Sequence, residues 1–221
     1  MAEKKGTGSS VKLDFGLGSG SLTEETRSKW PYEFGLVYSV ELGSGRLETR
    51  MHVTNNDKES FEFQSLFHTY FRIKVSPATL LKKSKYTDHF QDISKTSISG
   101  LKSSPYVDRV LQAKKFTEES SSLTLTSETD RVYTPPNNSD GTAIPLTILE
   151  NGKPKLTITR DALPDVTVWN LWDEKAKGVA DFTPKDGWKQ MICVEPGTVS
   201  DWVKLEAGDA WEGGQIVEAH E

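Results

Sequence analysis

The sequence predicts an all-β fold, an antiparallel β-sandwich or barrel, from three observations. Most segments either alternate polar with apolar residues or are rich in β-branched residues. Glycine- and asparagine-containing turns separate these segments at short intervals. No strand–helix–strand rhythm accompanies them, which excludes a parallel α/β sheet. A chain of 221 residues is long enough to form one large domain of this class.

Eleven segments carry the strand pattern. They are residues 11–17, 33–42, 46–55, 60–73, 122–127, 145–149, 155–160, 165–170, 190–195, 202–206 and 210–219. Gly43 and Gly45 predict a hairpin between the second and third segments. Asn151-Gly152 predicts another, because this dipeptide is the strongest short hairpin signal. Residues 22–30 predict one or two helical turns, capped by Thr23.

The stretch "FEFQSLFHTYFRI", residues 61–73, combines an apolar face with a polar one. Side chains alternate across a strand, so the odd-numbered and even-numbered residues lie on opposite faces. The apolar face comprises Phe61, Phe63, Phe67, Phe71 and Ile73, and the polar face comprises Glu62, Gln64, His68, Tyr70 and Arg72. We therefore expect one face to pack in the core and the other to meet solvent or a ligand.

The domain organisation is predicted to be simple. Residues 1–10 have no apolar segment and read as a flexible tail, and residues 11–221 read as a single domain. Residues 75–91, "VSPATLLKKSKYTDHFQ", interrupt the pattern with a basic stretch that lacks alternation. We interpret them either as a small intron retained in frame or as a natural surface loop.

Composition excludes several classes of protein. The net charge is −5, with 32 acidic and 27 basic residues, so nucleic acid is not expected as a partner. No apolar run reaches the length of a membrane span. Cys193 is the only cysteine, which excludes an internal disulfide and favours a reducing, cytoplasmic location. No His or Cys spacing resembles a zinc motif, and we predict neither a metal site nor an organic cofactor. We expect a monomer.

Three ionisable residues are the candidates for chemistry. His68 can exchange a proton near neutral pH, although a solvated or structurally hydrogen-bonded histidine is the simpler explanation of the strand pattern alone. Glu195 follows an apolar run in "MICVEPG" and precedes proline, which predicts a strand end there. It is either partly desolvated, with a raised pKa, or exposed to water. Asp130 in "SETDRVY" fits a turn between short strands.

The order of four motifs is more specific than any one of them. "FEFQSLFHTYFRI", "SETDRVY", "VWNLWDEKAKGVADF" and "MICVEPG" together resemble the glucose-6-phosphate 1-epimerases (D-hexose-6-phosphate mutarotases) of the aldose 1-epimerase superfamily. The resemblance implies a galactose-mutarotase-like antiparallel β-sandwich with a sugar groove on one sheet. It also implies that His68 and Glu195 are catalytic and Asp130 binds the sugar. No metal or organic cofactor is implied, and the implied partner is a hexose 6-phosphate.

The chain departs from this family upstream. Family members carry roughly a hundred further residues there, a domain-scale length, including the arginines of their phosphate site. We therefore expect a sandwich that lacks N-terminal strands. Arg72, Lys175 and Lys177 lie near the motifs, but solvated surface charges explain them more simply.

Three functions remain open. The first is interconversion of hexose 6-phosphate anomers, provided that the missing strands are supplied or dispensable. The second is an inactive carbohydrate-binding sandwich. The third is a glycosidase that pairs Asp130 with Glu195.

Overall fold

The computed structural model describes residues 10–73 and 93–220. The tail predicted over residues 1–10, apart from its last residue, and the interruption predicted over residues 75–91 lie outside the described residues. Fifteen strands and two short α-helices make up most of the described chain. The expected all-β class is therefore confirmed.

The strands are numbered in chain order. They are β1 (Val11–Gly18), β2 (Phe34–Gly43), β3 (Arg46–Asn55), β4 (Phe61–Leu66), β5 (Tyr70–Arg72), β6 (Thr96–Ser99), β7 (Pro105–Asp108), β8 (Lys114–Thr117), β9 (Ser122–Thr124), β10 (Thr129–Tyr133), β11 (Leu146–Glu150), β12 (Lys153–Asp161), β13 (Asp165–Asn170), β14 (Met191–Leu205) and β15 (Ala210–Ala219). The helices are α1 (Glu24–Lys29) and α2 (Trp172–Gly178), and short 3-10 turns cover Ser19–Ser21, Ile93–Lys95 and Gly187–Gln190.

The strands form two antiparallel sheets. The first has eight strands in the order β1-β2-β3-β15-β12-β11-β6-β9. The second has seven, in the order β4-β14-β13-β10-β7-β8, with β5 also paired to β14. β14 therefore lies inside the second sheet, between β13 on one side and β4 and β5 on the other.

The predicted turns are present. Asn151 and Gly152 have φ values of 51° and 74° and join β11 to β12, as a hairpin with two left-handed turn residues requires. Gly45, with a φ of 68°, joins β2 to β3, whereas Gly43 needs no left-handed conformation. Thr23 caps α1, since its hydroxyl accepts a hydrogen bond from the amide of Thr26 at 3.3 Å.

Several strands escaped the sequence prediction. β6, β7 and β8 are only four residues long and carry mixed polar and apolar residues. β6 pairs with β11 and β9, which lie far along the chain, and a local pattern does not report such pairing. Residues 190–195 and 202–206, predicted as separate strands, are parts of β14, and residues 60–73 are divided between β4 and β5.

The core lies between the two sheets. Ile98, Leu146 and Ile158 of the first sheet are buried in one cluster with Val168 and Ile192 of the second. A second cluster lies near the other end of the sheets. It joins Phe34, Val53, Phe61 and Leu205, with aromatic rings packed around them. These two clusters pack the inner face of the second sheet against the first sheet. The candidate site lies on the outer face of the second sheet.

The first sheet has an apolar face that is open at β1. Register places Leu13, Phe15 and Leu17 on the same face as Leu36 of β2, which pairs with the buried Val53 of β3. Leu13 and Phe15 are nonetheless more than half exposed. Among the described residues no strand pairs with the outer edge of β4. The described residues therefore leave the apolar face at β1 uncovered and the outer edge of β4 unpaired.

The helices of the described residues are minor elements. α1 and α2 have six and seven residues, and no helix in the described ranges is long and apolar enough to cross a bilayer. α2 closes the end of the second sheet, where Trp172 packs on Trp188 with ring centroids 4.4 Å apart. Lys175 and Lys177 pair with acidic neighbours on its surface, as expected for solvated charges.

Candidate active site

Glu195 lies within β14 rather than at a strand end. The ladder continues past it, because Pro196 pairs with Val166 and Gly197 pairs with Asp165. The prediction that proline ends the strand is therefore wrong. The carbonyl of Pro196 accepts the amide of Phe67 at 3.0 Å, and a residue's nitrogen and carbonyl point to the same side of an antiparallel strand. The missing N–H therefore faces the break between β4 and β5, not the ladder to β13.

His68 occupies that break. Residues 67–69 connect β4 to β5, and the hydroxyl of Thr69 accepts a hydrogen bond from Gln215 at 3.0 Å. The imidazole stacks on Tyr70 with ring centroids 4.9 Å apart and contacts the edge of Trp169 at 5.9 Å. Its side chain is 53% exposed. The predicted alternation survives the break, since Phe67 and Phe71 are buried while His68 and Tyr70 are exposed.

His68 and Glu195 meet. The Nδ1 atom of His68 is 2.7 Å from Oε1 of Glu195, and the carboxylate is only 3% exposed. The ring nitrogen does not aim a proton along this short line, so Oε1 is buried without an aligned hydrogen-bond donor. A hydrogen bond weakens steeply when the angle at the hydrogen falls below about 120°, even at a short distance. The two groups are therefore close enough to form an ion pair when His68 is protonated. Oε1 can still accept a proton from a ligand.

Burial raises the pKa of Glu195 to about 7. The thiol of Cys193, whose sulfur lies within 4.8 Å of a carboxylate oxygen, lowers the pKa of Glu195 and so opposes the effect of burial. The negative charge of Asp130 raises the pKa further, and the positive charge of Arg109 lowers it. Of the two environments open for Glu195, the structure has the desolvated one. A carboxyl group with a pKa near neutrality can both take and give a proton at physiological pH.

Asp130 lies in β10, so the prediction of a turn there is wrong. It pairs with Trp169 of β13, which pairs with Cys193 of β14. Directly paired residues share a face, so these three side chains form one row across the sheet. Strands lie about 4.8 Å apart, which places the Asp130 Cα about 10 Å from that of Cys193. Arg109 approaches Asp130 with 3.7 Å between Nη1 and Oδ1.

A cavity of about 480 Å³ continues along this end of the sheet. Arg109, Lys115, Val132 and Ser200 are among the residues that line it. Val132 pairs with Thr167, and Thr167 pairs with Glu195, so the cavity opens on the face that carries the carboxylate. Through Arg109, the partner of Asp130, the cavity borders the row of residues that includes Asp130.

The corner after β13 is held by Asn170. Its side-chain amide donates to the carbonyls of Trp188 and Met191, both at 2.9 Å, and its oxygen accepts the amide of Trp172 at 2.8 Å. These bonds fix the chain where it enters β14. "VWNLWDEKAKGVADF" is thus a packed corner followed by a surface helix. Within this motif, Trp169 is the residue that contacts His68.

Sequence reasoning did not single out Cys193, Trp169 or Arg109 as site residues. Cys193 is two residues before Glu195, and that spacing was the available signal for a shared face. Arg109 follows a strand that was not predicted. Among the three basic residues considered, Lys175 and Lys177 lie on α2, and Arg72 lines a different cavity, beside Lys155 and His220.

The fold and the chain both have known relatives. The family model described as Aldose 1-epimerase matches residues 10–218. A protein of Cenchrus ciliaris named "Putative glucose-6-phosphate 1-epimerase" is 32% identical over 194 residues, which cover 86% of this chain and 52% of that protein. An Escherichia coli protein with the same name is 27% identical over 195 residues, which cover 88% and 55%. The chain thus spans about half the length of the curated relatives it matches.

A solved structure supports the same fold. The "putative mutarotase (YeaD)" of Salmonella typhimurium aligns with a TM-score of 0.74 at 22% identity, over 96% of this chain and 61% of that one. The two-sheet architecture is that of the galactose-mutarotase-like β-sandwiches. The chain belongs to the aldose 1-epimerase family, as the match over residues 10–218 shows.

Proposed function

We propose that the protein interconverts the α and β anomers of a hexose 6-phosphate, glucose 6-phosphate being the first candidate. The observation that carries the proposal is the contact between the half-exposed imidazole of His68 and the buried Oε1 of Glu195. This oxygen accepts no aligned hydrogen bond. The substrate class comes from the names of the two relatives. Both relatives are about twice as long as the part that matches. That this chain is active without the remainder is therefore part of the proposal.

The reaction needs one base and one acid at the anomeric carbon. Glu195, as carboxylate, removes the proton from the C1 hydroxyl while His68, as imidazolium, gives a proton to the ring oxygen. The C1–O5 bond breaks and an open-chain aldehyde forms. After rotation about C1–C2 the ring closes on the other face of the aldehyde, with the proton transfers reversed. No covalent intermediate is required.

The geometry constrains how the two groups can act on the sugar. An acid and a base on opposite sides of the anomeric centre would leave room between them, yet the two groups are in contact at 2.7 Å. The hydroxyl and ring oxygens share a carbon, so neighbouring groups can serve both from one side. His68 has to turn away from Glu195 as the sugar binds, and its exposure allows that rotation.

Exchange spectroscopy by NMR on glucose 6-phosphate tests the proposal. We expect the intact chain to accelerate anomer exchange, and His68→Ala or Glu195→Gln to reduce the acceleration by roughly 10²–10⁴-fold. His220→Gln is the matched control, because this histidine is exposed and contacts Thr157 elsewhere. Binding without acceleration in the unmodified protein would instead support the inactive carbohydrate-binding sandwich. Release of reducing sugar from a glycoside would support the glycosidase.

A further inference from the structure

Three different metal-ligand atoms converge at the site. A ring nitrogen of His68, the sulfur of Cys193 and a carboxylate oxygen of Glu195 all lie within 4.8 Å of one another. The histidine comes from the β4–β5 connection, and the other two come from one face of β14. These three residues do not form a metal-binding motif in the sequence, because His68 is far along the chain from Cys193 and Glu195.

The set of donor atoms selects the kind of metal. Zn²⁺ binds imidazole nitrogen, thiolate sulfur and carboxylate oxygen at about 2.0–2.3 Å. Two ligand atoms of a tetrahedral ion at such distances are roughly 3.3–3.8 Å apart. Small side-chain rotations therefore bring the three atoms around one ion. Mg²⁺ and Ca²⁺ prefer sets made only of oxygen and do not suit a thiol.

The surroundings favour a cation as well. Glu195 is buried, and its Oε1 has no aligned hydrogen-bond donor. A buried carboxylate without a full set of partners gains from a cation that enters the site. His68 is 53% exposed, so the cluster is open on one side. Three protein ligands with an open fourth position is the arrangement that accommodates Zn²⁺ together with one water.

We propose that His68, Cys193 and Glu195 form a Zn²⁺ site whose occupation excludes the sugar. Binding forms Zn–N, Zn–S and Zn–O bonds, and the thiol proton passes to the buffer. The metal is an inhibitor and not a cofactor, because it occupies the two groups that move protons. Metal binding follows from the geometry alone, whereas inhibition rests on the proposed function.

Co²⁺ is the probe for the site. Cys193 is the only cysteine of the chain, so any sulfur-to-cobalt charge-transfer band in the near ultraviolet reports this thiol alone. We expect the full-length chain to develop that band with one equivalent of Co²⁺ and to lose it when Zn²⁺ is added. Cys193→Ser should abolish the band. His68→Gln should weaken Co²⁺ binding by about tenfold or more.

The control and the contrary results are distinct. His220→Gln should leave the Co²⁺ titration unchanged, since that histidine lies on the first sheet beside Thr157. Absence of the band at millimolar Co²⁺, or a band insensitive to His68→Gln, would overturn the site. His68 is largely on the surface, so its substitution tests the site even if a variant of the buried cysteine folds poorly.

The two proposals fail separately. The cobalt spectrum requires no turnover, so a site present in an inactive chain leaves the metal proposal standing and removes only the inhibition. In an active chain, micromolar Zn²⁺ should slow anomer exchange and a chelator should restore it. Undiminished exchange in a chain saturated with Zn²⁺, as judged by displaced Co²⁺, would show that the metal does not exclude the sugar.

Discussion

The sulfur of Cys193 lies within 4.8 Å of a carboxylate oxygen of Glu195, two residues away on the same face of β14, and the thiol lowers the pKa of that carboxyl. The thiol is fully buried, and its proton opposes the effect of burial on the neighbouring carboxyl. The single cysteine thus moderates the rise in pKa of the proposed base. The consequences can be measured at both residues.

Removing the thiol should shift the pH profile of activity. Cys193→Ala removes the group that lowers the pKa of Glu195, so this pKa should rise above about 7. Because the ionised carboxyl is the base, the acid limb of kcat/KM should move to higher pH. Cys193→Ser restores a donor and should move it back toward that of the unmodified protein. The rates are measured in chelator from pH 5 to 9.

Coincident acid limbs in Cys193→Ala and the unmodified protein would contradict this role. A simple loss of packing would lower the rate at every pH without moving the limb. The shift therefore separates positioning by the thiol from general destabilisation.

Glu195→Gln should stabilise the protein at alkaline pH. Burial raises the folded pKa from the ordinary 4.5 to about 7. The folded state therefore holds this proton more tightly than the unfolded state does. Its contribution to stability is complete below pH 4.5 and is lost as pH rises through 7. Ionised Glu195 then costs up to about 3 kcal/mol, which glutamine avoids.

Urea unfolding at pH 5 and pH 8 measures this effect. We expect a stability gain from Glu195→Gln at pH 8 and little change at pH 5, together with loss of activity. Glu206→Gln, at the exposed residue that follows β14, is the matched control and should show no such dependence. Equal effects at both pH values would contradict a desolvated carboxyl.

Asp165 should matter for stability more than for chemistry. It is buried, and its carboxylate accepts the amides of Val199 and Ser200 at 2.8 Å. It also accepts the hydroxyls of Ser200 and Thr134 at 2.8 and 2.9 Å. These bonds hold the irregular part of β14 that follows Gly197. Asp165→Ala removes the common acceptor of four partly buried hydrogen bonds and should cost about 1–3 kcal/mol.

Thermal and urea unfolding of Asp165→Ala and Asp201→Ala provide the comparison. Asp201 is exposed in the same segment, and its loss should change stability by about 0.5 kcal/mol or less. Equal effects of the two variants would show that the buried bonds do not hold β14.

Much of the fold was accessible from the sequence. Alternation at residues 61–73 separated buried from exposed side chains correctly, even though His68 lies in a break between two strands. Asn151-Gly152 marked its hairpin because those residues adopt left-handed conformations at small cost. These are local signals, and each depends on only a few neighbouring residues.

The composition of the site was much less accessible. Residues meet there through strand order, and the row Asp130–Trp169–Cys193 exists only because β10, β13 and β14 are neighbours in the sheet. The pairing of His68 with Glu195 was expected from the family resemblance and not from any spacing. The continuation of β14 past Pro196 depends on which side its nitrogen faces, and a dipeptide does not reveal that.

Gly197 should tolerate no side chain. A Cβ there would lie 2.7 Å from the carbonyl oxygen of Ser65 and 2.7 Å from the side chain of Leu66. Ser65 O is backbone, so β4 would have to move away from β14. We expect Gly197→Ala to cost about 1–3 kcal/mol and to displace the β4–β5 connection that carries His68. Anomer exchange should therefore fall together with stability.

Gly16→Ala is the control, because a Cβ at Gly16 of β1 meets nothing within 4 Å. Urea unfolding and exchange rates of both variants decide the matter, and a fully stable Gly197→Ala would show that β4 can shift without cost.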